Sequence, residues 1–424
     1  MPLTSPTGRS SGVRPAHHAN KHGTLFRNPW PSAEKPSWNE LLSISNPLSW
    51  YSTHELEKHA KAREIKALKP DWGASDLKAR GLQRQECIIG TWLGHAGAMV
   101  EMPVAAIDEG SGRKSLSVLF DPIFSTRAGP NAYTGPSRLK PSPCQALDLP
   151  ACDAVVISHN HYDHLDLVTI KAVLAKFPRC LYFVPRGNKG ILMSTGIPGR
   201  QIHEMDWWSS LDLACSDFGF EAREDVSDHS GLRFTCVPAQ HNSGRGATDQ
   251  GHTLWSGWVV ESFSQPESAP SGALRARRGG IYHAGDTGYR RTARSDEVCP
   301  VFAEVGERLG PFDLAFIPLW RGGTLGLISY MGLRLSHQEI PSVFHASPAD
   351  AIAIHQAVKS RTTVGVHFGT FIGSEHESYE AIIEFEDARE KQGIATLEAS
   401  SRCEHGRAGV LDIGGSIAIR LDTA

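Results

Sequence analysis

The chain has 424 residues, an apolar content of 40% and a formal charge of −3 at pH 7. This length suits a large folded domain, and the slight acidity argues against a protein that binds nucleic acid. No run of 18 or more apolar residues occurs, so no transmembrane helix is expected. The eight cysteines show no CxxC motif and no regular spacing, which favours a reduced, intracellular location.

The first 33 residues contain no acidic residue and are rich in Ser, Thr, Pro and Gly. Few large apolar side chains are available there for burial, so residues 1–33 are predicted to form a disordered arm. Arg and Ser without acids are also typical of a mitochondrial transit peptide, and this alternative stays open. Residues 34–87 are predicted to form a helical N-terminal extension, because residues 38–42 and 52–60 have helical patterns.

Large apolar side chains are concentrated in this extension. They are Trp38, Leu41, Leu42, Trp50 and Tyr51. We expect them to pack on the core of the protein, and a lipid-facing surface is the alternative.

The most informative segment follows residues 153–157, whose apolar side chains predict a buried strand. It contains His159, His161, Asp163 and His164 within six residues. Imidazole nitrogens and carboxylate oxygens are the ligands of catalytic zinc sites. On extended chain the first two histidines face the same side, whereas the last two residues lie on the following loop, so the segment can serve two metal ions. A histidine cluster without a metal is disfavoured, because buried imidazoles are costly to charge.

Three later β-branched runs also end in a ligand-type residue and small residues that permit a tight turn. The strands predicted at 232–237, 280–282 and 362–366 lead to His241, Asp286 and His367, respectively. These distant residues are therefore candidates to complete a two-metal site.

Strands alternate with helices in the rest of the chain. Helices are predicted at 166–177, 188–194, 348–359 and 377–391, and a further strand at 181–184. This alternation is typical of an α/β fold with sheets packed between helix layers. Residues 262–279 are rich in Ser, Pro, Gly and Arg and predict a surface insertion.

The order of the metal motifs resembles that of the metallo-β-lactamase superfamily. The flanking sequence resembles one branch, the phospholipases D that hydrolyse N-acylphosphatidylethanolamine, from about residue 88 to about residue 395. The matching segments include residues 91–96, 120–125, 206–208, 238–241, 284–289 and 367–371. The resemblance implies a hydrolase domain at 88–424 with an αβ/βα sandwich fold, in which two mixed sheets lie between helix layers.

The resemblance also implies a ligand set for two Zn²⁺ ions. One ion takes His159, His161 and His241, the second takes Asp163, His164 and His367, and Asp286 bridges both. His345 is expected to act on the substrate together with Asp163 and Asp286, although a surface histidine near a helix start is an equal alternative. His95 and Asp121 are expected to orient the ligands from behind.

The implied reaction is in-line attack of a hydroxide, activated by the two metal ions, on the phosphorus of a phosphodiester. Its products are phosphatidic acid and an N-acylethanolamine. The partner would be a membrane phospholipid, so peripheral membrane association is expected, and the family implies a homodimer. A hydrolase of a soluble ester, lactone or phosphodiester on the same fold is the main alternative. A metal-binding scaffold without turnover is disfavoured, because a structural site would close its coordination.

Overall fold

The computed structural model describes residues 14–44, 48–104, 115–220, 228–266, 276–320, 333–335, 342–371, 375–399 and 403–421. Within these ranges the strands are, in chain order, β1 (Leu48–Trp50), β2 (Cys87–Gly94), β3 (Gly97–Pro103), β4 (Ser115–Phe120), β5 (Ala154–Val156), β6 (Leu181–Pro185), β7 (Ile202–Met205), β8 (Ser210–Ala214), β9 (Asp228–Val237), β10 (Gly257–Pro266), β11 (Ala276–His283), β12 (Leu314–Pro318), β13 (Leu333–Leu335), β14 (Thr362–Val366), β15 (Arg407–Gly409) and β16 (Ser416–Arg420).

The α-helices of the same ranges are α1 (Trp38–Ser43), α2 (Thr53–His59), α3 (Ala74–Arg80), α4 (Leu167–Lys176), α5 (Lys189–Met193), α6 (Val301–Arg308), α7 (Pro348–Ala357) and α8 (Glu375–Lys391). Among the described residues, no helix has both the length and the apolar character needed to cross a bilayer.

The strands form two mixed sheets of seven strands each, and β1 pairs with β13 apart from them. The first sheet has the order β16-β2-β3-β4-β5-β6-β7, which is antiparallel as far as β4 and parallel from there to β7. The second has the order β15-β14-β12-β11-β10-β9-β8, which is parallel as far as β11 and antiparallel beyond it. In both sheets the parallel half requires crossover connections. Helices lie in several of them, for example α4 between β5 and β6 and α6 between β11 and β12.

The core lies between the two sheets. Phe183 of β6 stacks on Phe234 of β9 with ring centroids 3.7 Å apart, and both rings are fully buried. The sheets also approach each other closely at Gly90 of β2, where an added Cβ would lie 2.5 Å from Leu314 Cδ2 of β12. Apolar burial of this kind contributes about 1.5–3 kcal/mol for each large side chain.

Helices cover the outer faces of both sheets. On the first sheet, α4 buries Ile170 and Val173. On the second, α6, α7 and α8 bury Phe302, Ile354 and Phe385 in the same cluster as the strands. The structure is therefore the αβ/βα sandwich that the sequence predicts, with two mixed sheets between helix layers.

The N-terminal extension contains the two predicted helices, and α2 begins with a capping box between Ser52 and Glu55. Its apolar side chains do not all pack inward as expected. Tyr51 is buried, but Trp38, Leu42 and Trp50 are 81%, 82% and 67% exposed. The expectation of core packing is wrong for these three residues, because the short elements that carry them lie at the surface.

The prediction of a disordered arm is wrong for residues 14–33. His18 forms a β-bridge with Phe26, and Pro31–Ala33 form a 3-10 helix. His17 and His18 are buried, and each lies 2.7 Å from an oxygen of Asp206. The segment is thus held by contacts with a residue 188 or 189 positions away, which its local composition does not reveal. Residues 1–13 lie outside the described residues.

The surface insertion predicted at 262–279 is shorter than expected, because regular strand continues into it from both sides. β10 extends to Pro266 and β11 begins at Ala276, and the two strands pair with a register shift at Ser262 and Phe263. The residues between them, 267–275, lie outside the described residues.

Candidate metal centre

The predicted ligand residues follow four strands that end at the same edge of the sandwich. The loop after β5 carries His159, His161, Asp163 and His164. His241, Asp286 and His367 follow β9, β11 and β14, respectively. All of these side chains are buried except those of His161 and Asp163, which are partly exposed. Parallel strands of both sheets thus bring residues that are 208 positions apart in the chain, from 159 to 367, into one cluster.

The first group in this cluster consists of three imidazoles. His159 Nε2 lies 2.9 Å from His161 Nδ1, and His241 Nε2 lies 3.4 Å from the same atom. Around a tetrahedral zinc ion with bonds of about 2.0–2.1 Å, nitrogen ligands lie about 3.3 Å apart. Burial lowers the pKa of all three histidines, which keeps the imidazoles neutral and leaves nitrogen lone pairs for a metal.

The second group contains His95, Asp163, His164 and His367, whose ligand atoms lie within 4.8 Å of one another. His95 Nε2 lies 2.9 Å from Asp163 Oδ2, and the rings of His95 and His367 have centroids 4.0 Å apart. His95 is expected to orient the ligands, and its contact with Asp163 is of the kind that such a role requires. In this position it orients the Asp163 carboxylate.

Asp286 lies between the two groups. Its Oδ2 is 3.2 Å from His164 Nε2 and 3.7 Å from His241 Nε2, and its Oδ1 is 2.8 Å from His367 Nε2. One buried carboxylate therefore contacts histidines of both groups. This is the geometry expected of a residue that bridges two metal ions.

Contacts on the far side of two imidazoles fix their orientation. Asp121 Oδ2 lies 2.7 Å from His164 Nδ1, and the Phe344 carbonyl lies 2.8 Å from His241 Nδ1. A carboxylate and a carbonyl can only accept, so each Nδ1 carries the proton and each Nε2 offers a lone pair to the centre. Such a partner on the second nitrogen is usual for histidines that bind metals.

His345 lies beside the cluster and not on a remote surface. Its Nδ1 is 3.9 Å from Asp286 Oδ2, and its ring centroid is 5.2 Å from that of His241. The side chain is 29% exposed, so it lies at the rim of the centre where a substrate can reach it. Burial lowers its pKa, which favours the neutral ring with one N–H donor.

Several buried atoms of residues at the centre lack a hydrogen-bond partner among the described residues. They are His164 Nε2, Asp286 Oδ1, His345 Nδ1 and both nitrogens of His367. His367 Nε2 lies 2.8 Å from Asp286 Oδ1, but the two atoms are not aligned for a hydrogen bond. Buried polar atoms are rarely unpaired in folded proteins. Divalent cations would satisfy these atoms, and the His/Asp donor set suits zinc as well as iron or manganese.

The charges of the centre also favour cations. Burial raises the pKa of Asp286, but His164 and His367 lower it to well below its usual value. Burial likewise raises the pKa of Asp163, and its contacts with His164 and His95 lower it strongly. Burial lowers the pKa of His164, yet the nearby carboxylates, Asp286 above all, raise it well above the ordinary value. Ionised carboxylates thus surround the centre, and a metal ion can replace the proton that they hold on His164.

Two residues with clear roles in this arrangement were not singled out from the sequence. Ser158 Oγ contacts Asp121 Oδ2 at 2.6 Å and His159 Nδ1 at 2.9 Å. It therefore contacts one predicted ligand, His159, and the carboxylate that orients another, His164. Gln240 is fully buried and joins several loops of the centre. The only signal available in the sequence was their position directly before His159 and His241.

Comparison with known proteins agrees with this geometry. The family model described as the β-lactamase superfamily domain matches residues 117–368. The chain belongs to this superfamily. It is 29% identical over 378 residues to N-acyl-phosphatidylethanolamine-hydrolyzing phospholipase D 1 of Caenorhabditis elegans, an alignment that covers 87% of this chain and 88% of the relative. The resemblance inferred from the motifs is therefore confirmed.

Two further relatives match a smaller share of their own length. The mitochondrial N-acyl-phosphatidylethanolamine-hydrolyzing phospholipase D of Saccharomyces cerevisiae is 27% identical over 257 residues, which is 61% of this chain and 44% of the relative. An uncharacterised protein of Mycobacterium tuberculosis is 33% identical over 284 residues, which is 66% of this chain and 58% of the relative. Together with the fold, these similarities identify the protein as a metal-dependent hydrolase.

Proposed function

We propose that the protein is a dizinc phosphodiesterase of the phospholipase D type, which hydrolyses N-acylphosphatidylethanolamine to N-acylethanolamine and phosphatidic acid. The observation that carries the proposal is the position of Asp286 between two groups of ligand-type side chains. The similarity to a phospholipase D of this specificity over 87% of the chain supports the substrate.

We propose that the ligands divide as the two groups do. His159, His161 and His241 would hold one Zn²⁺, and Asp163, His164 and His367 the other, with Asp286 shared. Two unpaired atoms support this division. His164 Nε2 belongs to the second group, and Asp286 Oδ1 lies 2.8 Å from His367 Nε2 of the same group. His95 would then hold the Asp163 carboxylate in place through its 2.9 Å contact.

Two divalent cations in these positions would lower the pKa of a bound water toward about 7 and would neutralise charge on the phosphoryl oxygens. Asp163 and Asp286, which stay ionised at neutral pH, would accept hydrogen bonds from the attacking water and hold it in line. The bond between phosphorus and the ethanolamine oxygen breaks. The hydroxyl of water goes to phosphorus and its proton to the departing oxygen, so the reaction needs no other reactant.

His345 would act at the rim of the centre. Its ring lies near Asp286 and is partly open to solvent, so it can donate a hydrogen bond to a phosphoryl or leaving oxygen. The low pKa that burial gives to this histidine supports a role as a neutral hydrogen-bond donor and not as a strong acid.

An exposed apolar face supports a membrane substrate. Trp38 and Leu42 of α1 and Trp50 of β1 are each about two-thirds exposed or more. We propose that they act together, and we call these three residues the apolar face. Exposed apolar patches of this kind mark interaction sites, and Trp is favoured at membrane interfaces because one part of its ring system is apolar and the other polar. We propose that the apolar face inserts into the headgroup region of a bilayer.

Contacts connect the apolar face to the centre. Glu40 of α1 forms an ion pair with Arg291, and the Arg291 carbonyl accepts a hydrogen bond from Ser342 N. Ser342 Oγ in turn donates to the carbonyl of His345. We propose that a bilayer bound at the apolar face lies on the side of the molecule from which the phosphodiester enters the centre.

This function implies a peripheral location on an intracellular membrane. The name of the yeast relative describes that protein as mitochondrial. The homodimer that the family resemblance implies stays a prediction.

The test uses the zinc-loaded protein and vesicles that contain N-acylphosphatidylethanolamine, with both products measured by mass spectrometry. We expect release by the parent and by Asp387→Asn, an exposed residue of α8, and loss of at least about 100-fold in Asp286→Asn. Cleavage of bis(p-nitrophenyl) phosphate or a lactone without cleavage of the lipid would favour the soluble-substrate hydrolase instead.

A further inference from the structure

Residues 17–34, which we call the strap, lie across the loop that carries His241. They precede the span 117–368 that matches the superfamily domain. Two of their side chains reach residues 240 and 241 directly. The strap is therefore part of the environment of a proposed metal ligand, although it belongs to a different part of the chain.

The strap is anchored beside β7. His17 Nε2 lies 2.7 Å from Asp206 Oδ1, and His18 Nε2 lies 2.7 Å from Asp206 Oδ2. Hydrogen bonds from the two imidazoles to the carboxylate therefore explain why these three side chains lie together. Trp30 stacks on Trp207 with ring centroids 5.5 Å apart and an interplanar angle of 16°. These contacts hold the strap against residues 206 and 207 at His17, His18 and Trp30.

At its centre the strap completes a set of hydrogen bonds to three successive carbonyls. The Ala239 carbonyl accepts from Trp255 Nε1 at 2.9 Å, and the Gln240 carbonyl accepts from Gly288 N at 2.7 Å. The His241 carbonyl accepts from Asn28 Nδ2 at 2.7 Å. The backbone of the loop is thus held from three directions, and the strap holds it at the ligand residue itself.

The side chain of Gln240 extends these hydrogen bonds to Val343, two residues before His345. Its Oε1 accepts from Ser32 Oγ at 2.6 Å, and its Nε2 donates to the Val343 carbonyl at 2.8 Å and the Ser32 carbonyl at 3.2 Å. The next carbonyl after Val343, that of Phe344, orients His241 through its Nδ1. Ser32 therefore supports the segment that fixes the outer nitrogen of His241.

We infer that the strap is a positioning element for His241, and that retention of metal by the group His159, His161 and His241 depends on Asn28 and Ser32. This inference rests on the proposed metal centre but not on the identity of the substrate. Removing either side chain would free a loop whose ligand has to stay within a few tenths of an ångström of its place. Partners that orient metal ligands typically change metal affinity about 10-fold to 100-fold when they are removed.

The experiment measures zinc release from the full-length protein to a chromogenic chelator, for the parent, Asn28→Ala, Ser32→Ala and the double variant. Asn20→Ala is the matched control within the strap, because the Asn20 side chain is partly exposed and its hydrogen bonds to described residues go to Thr24 of the same turn. We expect one of two zinc ions to leave about 10-fold faster in each single variant and faster still in the double variant. The control should release zinc at the parental rate.

A second measurement separates positioning from general stability. The visible absorption of the Co²⁺-loaded protein reports ligand geometry, and far-UV circular dichroism of the metal-free protein reports folding. A changed cobalt spectrum with an unchanged metal-free melting curve supports the inference. Parental zinc release in both single variants, or a lower melting temperature with an unchanged cobalt spectrum, would overturn it. A protein that retains zinc through Asn28 and Ser32 but leaves the lipid intact would refute the proposed function alone.

Discussion

Asp121 Oδ2 accepts a hydrogen bond from His164 Nδ1 at 2.7 Å, although the two residues are 43 positions apart in the chain. The same carboxylate accepts from Ser158 N at 2.7 Å and from Ser158 Oγ at 2.6 Å. Asp121 is fully buried and has a φ of 38°, a conformation that costs free energy and persists where the surroundings impose it. One side chain thus holds the start of the loop that follows β5 and the orientation of His164, a proposed metal ligand.

Asp121→Asn should weaken metal binding about 10-fold to 100-fold. The substitution preserves shape, but it turns one oxygen into an NH₂ group that faces the donors Ser158 and His164. Zinc affinity measured by competition with a chelator tests this, with Asp387→Asn as the isosteric control on an exposed helix face. Equal zinc affinity in parent and Asp121→Asn would show that His164 needs no such support.

The sequence predicts those parts of the centre whose residues lie close together in the chain or directly follow a recognisable strand. His159, His161, Asp163 and His164 occupy one loop, and short apolar runs before the distant ligands indicate strand ends, which parallel sheets bring to one edge. Distances could not be predicted. The sequence does not show that His95, which was expected behind the ligands, reaches Asp163 at 2.9 Å, because that contact joins loops of different strands.

Gly285→Ala should destabilise the protein more than an alanine at an equally strained but open position. Gly285 has a φ of 59°, and a Cβ there would lie 2.5 Å from Ser158 Cβ and 2.9 Å from the Ser256 carbonyl. At Gly81 φ is 63°, and no atom lies within 4 Å of an added Cβ. We expect Gly81→Ala to cost about 1–2 kcal/mol of unfolding free energy and Gly285→Ala a few kcal/mol.

Chemical denaturation of both variants measures this difference. Because Gly285 directly precedes Asp286 and contacts Ser158, zinc content should fall only in Gly285→Ala. Equal losses of stability in the two variants would mean that the loop relaxes and that backbone strain alone matters.

Asp206 should stabilise the fold at neutral pH and lose this effect in acid. Burial raises its pKa, but hydrogen bonding and attraction from His17 and His18 outweigh burial and lower the pKa from 3.8 to about 2. The unfolded chain therefore binds the proton more readily, and the stabilisation is complete above about pH 5 and lost as pH falls through 2. The shift corresponds to about 2 kcal/mol.

Urea denaturation of the parent and Asp206→Asn between pH 7 and pH 3 tests this dependence. The difference in unfolding free energy should be about 2 kcal/mol at pH 7 and should shrink below pH 4. Asp387→Asn should show little difference at any pH. A constant difference between the parent and Asp206→Asn down to pH 3 would contradict the lowered pKa.

The N-terminal third was the part of the fold that the sequence predicted least well. Helices α1 and α2 have clear local signals, such as the Ser52 cap, and the structure contains them. The ordering of residues 14–33 depends instead on partners such as Asp206, Gln240 and His241, which no local pattern reveals. The exposure of Trp38 was only the alternative to core packing, since an aromatic side chain at helical spacing is usually buried.

Removal of the apolar face should weaken binding to vesicles while the chemistry on soluble substrates stays intact. Burial of a large aromatic side chain contributes about 1.5–3 kcal/mol, so the double variant Trp38→Ala, Trp50→Ala should bind vesicles at least about 10-fold more weakly. Tyr133→Ala is the matched control, because Tyr133 is 89% exposed and lies outside the apolar face. Cosedimentation with vesicles measures binding, and zinc content together with cleavage of bis(p-nitrophenyl) phosphate monitors the centre. If the double variant and the control sediment with vesicles as the parent does, the apolar face does not contact the bilayer, and the lipid has to reach Asp286 and His345 by another approach.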